Sequence, residues 1–201
     1  MRLVSPLLLG AALCATVVST ALAQNAARAK PIPPAAQQIA AAVTALPEDL
    51  RAGAAVLGYS ADGKLTSIRA AKNDMICLAP KPEDAKFHSA CYHKAMEPFM
   101  ARGRELRAQG VKDPQVDTVR FAEVKSGKLK MPTSPSMLYQ IFGGTFDPAT
   151  SKVTGGQWLY VTYIPFATAA TTGLTDKGRE NGPWIMYPGT PKAHIMFSVG
   201  M

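Results

Sequence analysis

Residues 54–70, AAVLGYSADGKLTSIRA, carry the clearest folding instruction in the chain. Two strand-like runs, 54–60 and 65–70, flank Asp62-Gly63, whose members both tolerate positive φ; the pattern predicts an antiparallel hairpin. Asn73-Asp74 marks the next turn, and residues 75–78 (MICL) follow as the third strand of a meander.

On the N-terminal side of the hairpin, Pro33-Pro34 opens an Ala-rich segment, and Ile39, Val43 and Leu46 recur on one helical stripe over 35–46. Pro47 suits the first turn of a second short helix that Gly53 ends. On the C-terminal side, Ser89 is the expected N-cap of a helix carrying Tyr92, Met96, Phe99 and Leu106 inward. Pro98 should restart that helix near Met96 or Glu97, and Gly110 closes it. Asp113-Pro114 opens another helix with Gly127 as its C-cap. Residues 137–143 and 157–164 read as strands joined by a loop, and 165–173 hold one helical turn. Residues 184–187 and 193–199 flank Pro188-Gly189-Thr190-Pro191 as antiparallel neighbours. Helix, strands, helices, strands in that order lack βαβ alternation. The expectation is α+β: an antiparallel sheet of short strands packed by a few helices, one domain over 35–201.

The first 23 residues predict export. Met1-Arg2 gives a positive start, residues 3–18 are mostly Leu, Val and Ala, and Ala21-Leu22-Ala23 is a small-x-small cleavage pattern before Gln24. Ser5-Pro6 interrupts the apolar run, which falls short of the roughly 20 residues that a spanning helix needs. A periplasmic or secreted product with a Pro/Ala-rich tether at 24–34 is expected, and no second apolar run suggests an integral membrane protein.

Export removes Cys14 and leaves Cys77 and Cys91, an even pair expected to be a disulfide in an oxidising compartment. It should staple the third strand to the helix start at Ser89 and stabilise the fold by roughly 3 kcal/mol. The chain carries 22 Lys and Arg against 14 Asp and Glu, a net charge of +8. Arg102, Arg104, Arg107, Lys112, Arg120, Lys125, Lys128 and Lys130 concentrate the excess, interleaved with Glu105, Asp113, Asp117 and Glu123. They read as solvated faces of two helices; attraction to an anionic envelope surface is the functional alternative. Export argues against a nucleic-acid partner.

No G-x-S-x-G, H-E-x-x-H, Walker A or G-x-G-x-x-G pattern occurs, and no cofactor is implied. Two histidines draw interest. On a continuous helix His93 shares a face with Met96, and His194 alternates with Met196 on the last strand. His93, Met96 and His194 are therefore candidate ligands for copper or zinc, although Met at helical spacing is more often core filler. His194 and His93 are also candidate general bases for a hydrolase-like enzyme, which would need a Ser, Thr or Asp neighbour. Residues 181–194, NGPWIMYPGTPKAH, form the densest cluster of aromatics, Gly, Pro and His. Trp184, Tyr187 and His194 are candidates to line a small-ligand pocket or simply to pack a hairpin.

Residues 68–77 (IRAAKNDMIC), Cys91-Tyr92-His93, residues 184–190 (WIMYPGT) and Ala193-His194-Ile195-Met196 resemble an uncharacterised family of exported bacterial proteins. Its pattern is R-x-G-x-N-G-x-x-C, then C-Y-H, then a C-terminal H-[IV]-M; Ala71 and Asp74 stand here in place of its two glycines. The resemblance is scattered over residues 54–199. It implies that Cys77, Cys91, His93 and His194 belong to one scaffold and implies no activity. The leading expectation is a non-enzymatic exported domain that binds a small ligand or an envelope partner, with metal binding and hydrolysis as alternatives. Pocket geometry discriminates among them: His194 beside a nucleophile, a converging His/Met set, or neither.

Overall fold

The computed structural model describes residues 31–198. The leader, its cleavage site and the first part of the tether lie outside them. In chain order the elements are α1 (Ala35–Ala42), continued by a 3₁₀ turn over Val43–Ala45, α2 (Glu48–Arg51), β1 (Ala55–Tyr59), β2 (Leu65–Arg69), β3 (Met75–Leu78) and β4 (His88–His93). A 3₁₀ turn over Lys94–Met96 leads into α3 (Glu97–Ala108), followed by α4 (Gln115–Lys125), β5 (Ser136–Phe142), β6 (Thr145–Asp147), β7 (Lys152–Thr154) and β8 (Gln157–Tyr163). The chain closes with α5 (Ala169–Thr172), β9 (Trp184–Met186) and β10 (His194–Ser198). Eight strands form one sheet in the order β2-β1-β3-β4-β5-β8-β10-β9, and β6 with β7 makes a separate small hairpin. All main-sheet pairings are antiparallel except β1 with β3, so the α+β expectation holds.

The Asp62-Gly63 hairpin forms as read. Gly63 takes φ 77°, and β1 pairs antiparallel with β2. The meander does not continue, however. β3 returns to the other edge of β1 and runs parallel to it, Val56 opposite Cys77. Burial explains the choice: Thr66 and Ser67 of β2 are exposed, which suits an edge strand, whereas Met75 and Cys77 of β3 are buried.

The helix expected from Ser89 is instead the central strand β4, and α3 begins only at Glu97, with Pro98 in its first turn, where a missing N–H costs nothing. Ser89, Ala90, Cys91 and Tyr92 are all buried because both faces of β4 are covered. Ser89 caps no helix; its hydroxyl donates to the Ala42 carbonyl at 2.5 Å and ties β4 to the end of α1. Cys77 and Cys91 are bonded, opposite each other in the β3–β4 register. The staple therefore joins two neighbouring strands, not a strand and a helix.

Each face of the sheet carries its own core. On one, Ala42, Val43 and Leu46 of the α1 segment pack with Val56, Cys77, Cys91 and Ile141. Gln38 locks α1 to β1: its amide donates to the Tyr59 carbonyl at 2.9 Å and accepts from the Tyr59 N–H at 2.7 Å. On the other face, Met96 and Phe99 from the α3 side pack with Tyr92, Leu138, Val161 and Tyr163. Arg102 of α3 forks onto Glu123 of α4 and joins the two helices on this side. Among the described residues, no helix is long and apolar enough to cross a membrane.

Candidate functional site

The register of β8, β9 and β10 builds the site. Residues directly opposite in antiparallel strands point to the same face. His194 is opposite Tyr163 on one side and Met186 on the other, so all three face α3 and α4. The rings of Tyr163 and His194 lie 5.0 Å apart, and Tyr187 approaches His194 at 5.8 Å. Between the sheet and the two helices runs an open groove of about 390 Å³, floored by strands β3, β4, β5, β8, β9 and β10 and walled by α3 and α4.

Tyr187 sits just after β9 with φ 54°, a left-handed conformation uncommon for a bulky residue. Thr190 holds it there, its hydroxyl donating to the Tyr187 carbonyl at 2.8 Å. The same loop is tied to the segment after β8: the Phe166 N–H donates to the Thr190 carbonyl and the Gly189 N–H to the Ala167 carbonyl. Aromatic residues at the groove mouth are thus fixed by backbone bonds.

His194 is 5% exposed. Its Nδ1 lies 2.7 Å from the Lys192 carbonyl, an acceptor, so Nδ1 carries the proton and Nε2 is the ring's acceptor. Burial holds the imidazole below its ordinary pKa, the nearby Lys192 charge adds to this, and the Lys192 carbonyl opposes it. The shift favours the neutral imidazole. Burial also pushes the Tyr163 hydroxyl up to about 12.

Four cations reach the groove: Arg104 and Arg107 from α3, Arg120 from α4 and Lys192. Arg104 donates to the Tyr92 hydroxyl at 2.8 Å and to Glu97 at 2.6 Å, while the Tyr92 hydroxyl donates to Glu97 at 2.5 Å. Arg107 pairs with Asp113 at 3.0 Å. Arg120 and Lys192 share one carboxylate, that of Asp117. Burial of Asp117 raises its pKa, but the hydrogen bonds from Lys192 and Arg120 outweigh it, so the carboxyl stays below its usual range. Arg120 is 4% exposed, lies 3.8 Å over the Phe99 ring and donates to the Phe99 carbonyl at 3.1 Å. The expected solvated basic faces are therefore corrected at this position: Arg120 is a core charge.

Of the residues expected to bind a ligand, Tyr187 and His194 line the groove and Trp184 does not; its indole packs beside Gly178. The metal candidates do not meet. Met96 is wholly buried in the core beneath α3, and His93 stands at the end of β4, 3.8 Å from Asp74. Three strand spacings, about 14 Å, separate β4 from β10 and His194. Among the described residues, no three His, Cys, Asp or Glu side chains gather in a metal-holding group. Nor does a nucleophile pair with His194: no Ser, Thr or Cys among the described residues lines the groove.

Arg104 and Arg120 were expected on solvated basic faces and not in a groove, and Tyr163 and Lys192 were not among the expected site residues. Lys192 carried a usable signal, two residues from His194 in the same aromatic cluster. Arg120 carried a fainter one, four residues after Val116 on the buried stripe of α4. Nothing local marked Tyr163, which meets His194 only through strand pairing.

A wider depression of about 810 Å³ lies near the C-terminal end of α4, lined mainly by Pro and aliphatic side chains with Lys130 as its one charged group. Its polar lining is limited to Thr133, Ser134, Thr171 and Lys130. No protein-family model, curated protein sequence or solved structure matches this chain.

Proposed function

We propose that this protein is an exported, non-enzymatic domain that binds a small ligand in the groove between the sheet and α3–α4. The observation that carries this reading is the convergence of Tyr163, Tyr187, His194 and Lys192 on one open apolar-floored groove. Apolar walls with a few fixed polar groups are the usual make-up of a small-molecule site. No Ser, Thr or Cys among the described residues lines the groove beside His194, so binding is favoured over hydrolysis. Arg104, Arg107, Arg120 and Lys192 all line this one groove, which favours a small ligand over an extended envelope surface. Export is supported by the leader pattern and by the Cys77–Cys91 bridge.

The test is a thermal-shift panel of charged and uncharged small molecules on the oxidised protein, with hits mapped by NMR. Saturable hits should perturb Tyr187 and His194, and Tyr187→Ala should weaken them about tenfold, in line with truncation of an aromatic anchor. Hits that map away from the groove, or a panel without hits, would overturn the reading. Export has its own test: the exported protein should begin at Gln24, and an intact Met1 would refute cleavage.

A further inference from the structure

We infer that the inner end of the groove is an oxyanion site. It takes a small organic anion whose carboxylate or phosphate group sits at Lys192 and Arg120 while its flat body lies against Tyr163, Tyr187 and His194. This rests on the ligand-binding reading above and names the class of ligand.

The charge balance at this end is uneven. Arg104 and Arg107 each have a carboxylate of their own, Glu97 and Asp113. Arg120 and Lys192 have one between them, Asp117. Two cations on one carboxylate, in a partly desolvated groove, leave a net positive charge where an anion's attraction is screened little by water.

Arg120 is also incompletely satisfied. Its Nε is the only buried side-chain nitrogen or oxygen among the described residues that lacks a hydrogen-bond partner. A guanidinium at 4% exposure with an idle donor is costly unless something compensates it. Gly103 of α3 makes the arrangement possible, because a Cβ there would stand 2.8 Å from Arg120 Nη1. The guanidinium is thus held between the Phe99 ring and a bare stretch of helix.

Lys192 supplies the reachable donors. Its ammonium has three N–H groups. One serves Asp117 at 2.8 Å, and the nitrogen stands 4.5 Å from the Tyr187 ring centroid, at the groove wall. An oxyanion bound there would complete a second counter-charge for the pair. The rings of Tyr163, Tyr187 and His194 around it suit a flat ligand body.

The experiment titrates the oxidised protein with benzoate, phenyl phosphate and uncharged benzamide, at low and high salt. At least one anion should bind saturably, at least tenfold tighter than benzamide, and the two anion arms show which headgroup is preferred. Lys192→Gln should reduce anion affinity about tenfold and narrow the gap between the anions and benzamide. Arg120→Lys should do the same if it folds; the Lys192 variant stands alone if it does not. Equal binding of benzamide and the anions, or anion binding indifferent to Lys192→Gln, overturns the oxyanion site and leaves the ligand-binding reading intact. Failure of both anions to bind overturns the inference as well, and the broader ligand panel then decides the fate of the groove.

Discussion

Gly103 and His194 show how much single positions contribute to this groove. A methyl group at Gly103 would meet the Arg120 guanidinium at 2.8 Å, and that guanidinium is pinned by Phe99 and Asp117 and cannot step aside. Gly103→Ala should therefore destabilise the fold by about 1–3 kcal/mol, although alanine favours helices elsewhere. A chemical denaturation curve unchanged or improved by the substitution would refute the packing account. His194 makes the fold sensitive to acid. Its folded pKa lies below the unfolded value, so the unfolded chain binds the proton more readily. The His194 contribution is fully present above pH ~6.5, the ordinary imidazole value, and is lost as pH falls from there through the folded pKa. Stability measured across this window should decline toward acid in the wild type and less steeply in His194→Gln. Parallel curves would show that another group governs the decline.

At the scale of elements, β4 is the instructive case. Ser89, Cys91 and Tyr92 looked like a helix start because Ser is a good N-cap and Tyr92, Met96 and Phe99 recur at helical spacing. The strand wins because α1 covers one face of β4 and α3 the other, so four consecutive side chains are buried and no period-2 signal survives. The hairpin at Asp62-Gly63 was legible because turn chemistry is local; the parallel return of β3 to β1 was not, because it depends on which strand can tolerate an edge. The disulfide belongs to this scale too. It links β3 to β4 in register and lies in the core beneath α1, on the opposite face from the groove. Replacing both cysteines by alanine should cost about 3 kcal/mol in urea denaturation. Below the variant's unfolding transition, the affinity of any groove ligand should be unchanged; a shift of more than a few-fold would mean that the two faces are coupled.

The described residues form a sheet with a core on each face, and the two faces are finished differently. The α1 side closes over β1, β3 and β4 and carries the staple and the Gln38 lock. The α3–α4 side holds the open groove, which runs over strands β3, β4, β5, β8, β9 and β10. The disulfide and the proposed binding groove thus lie on opposite faces of the same sheet.

From the sequence alone came the α+β class, the Asp62-Gly63 turn, the Cys77–Cys91 pairing, the β9–β10 hairpin, and Tyr187 and His194 as groove candidates. These rest on local chemistry: turn residues, cysteine count, and aromatics beside a rigid loop. Tertiary structure alone decided that β4 is a strand, that Trp184 and Met96 stay out of the groove, and that Arg120, Lys192 and Tyr163 enter it. Those outcomes depend on strand register and on which helix covers which strand. Asp117 and Lys192 are 75 residues apart in sequence, yet they share an ion pair at 2.8 Å because the fold brings the loop before β10 against α4.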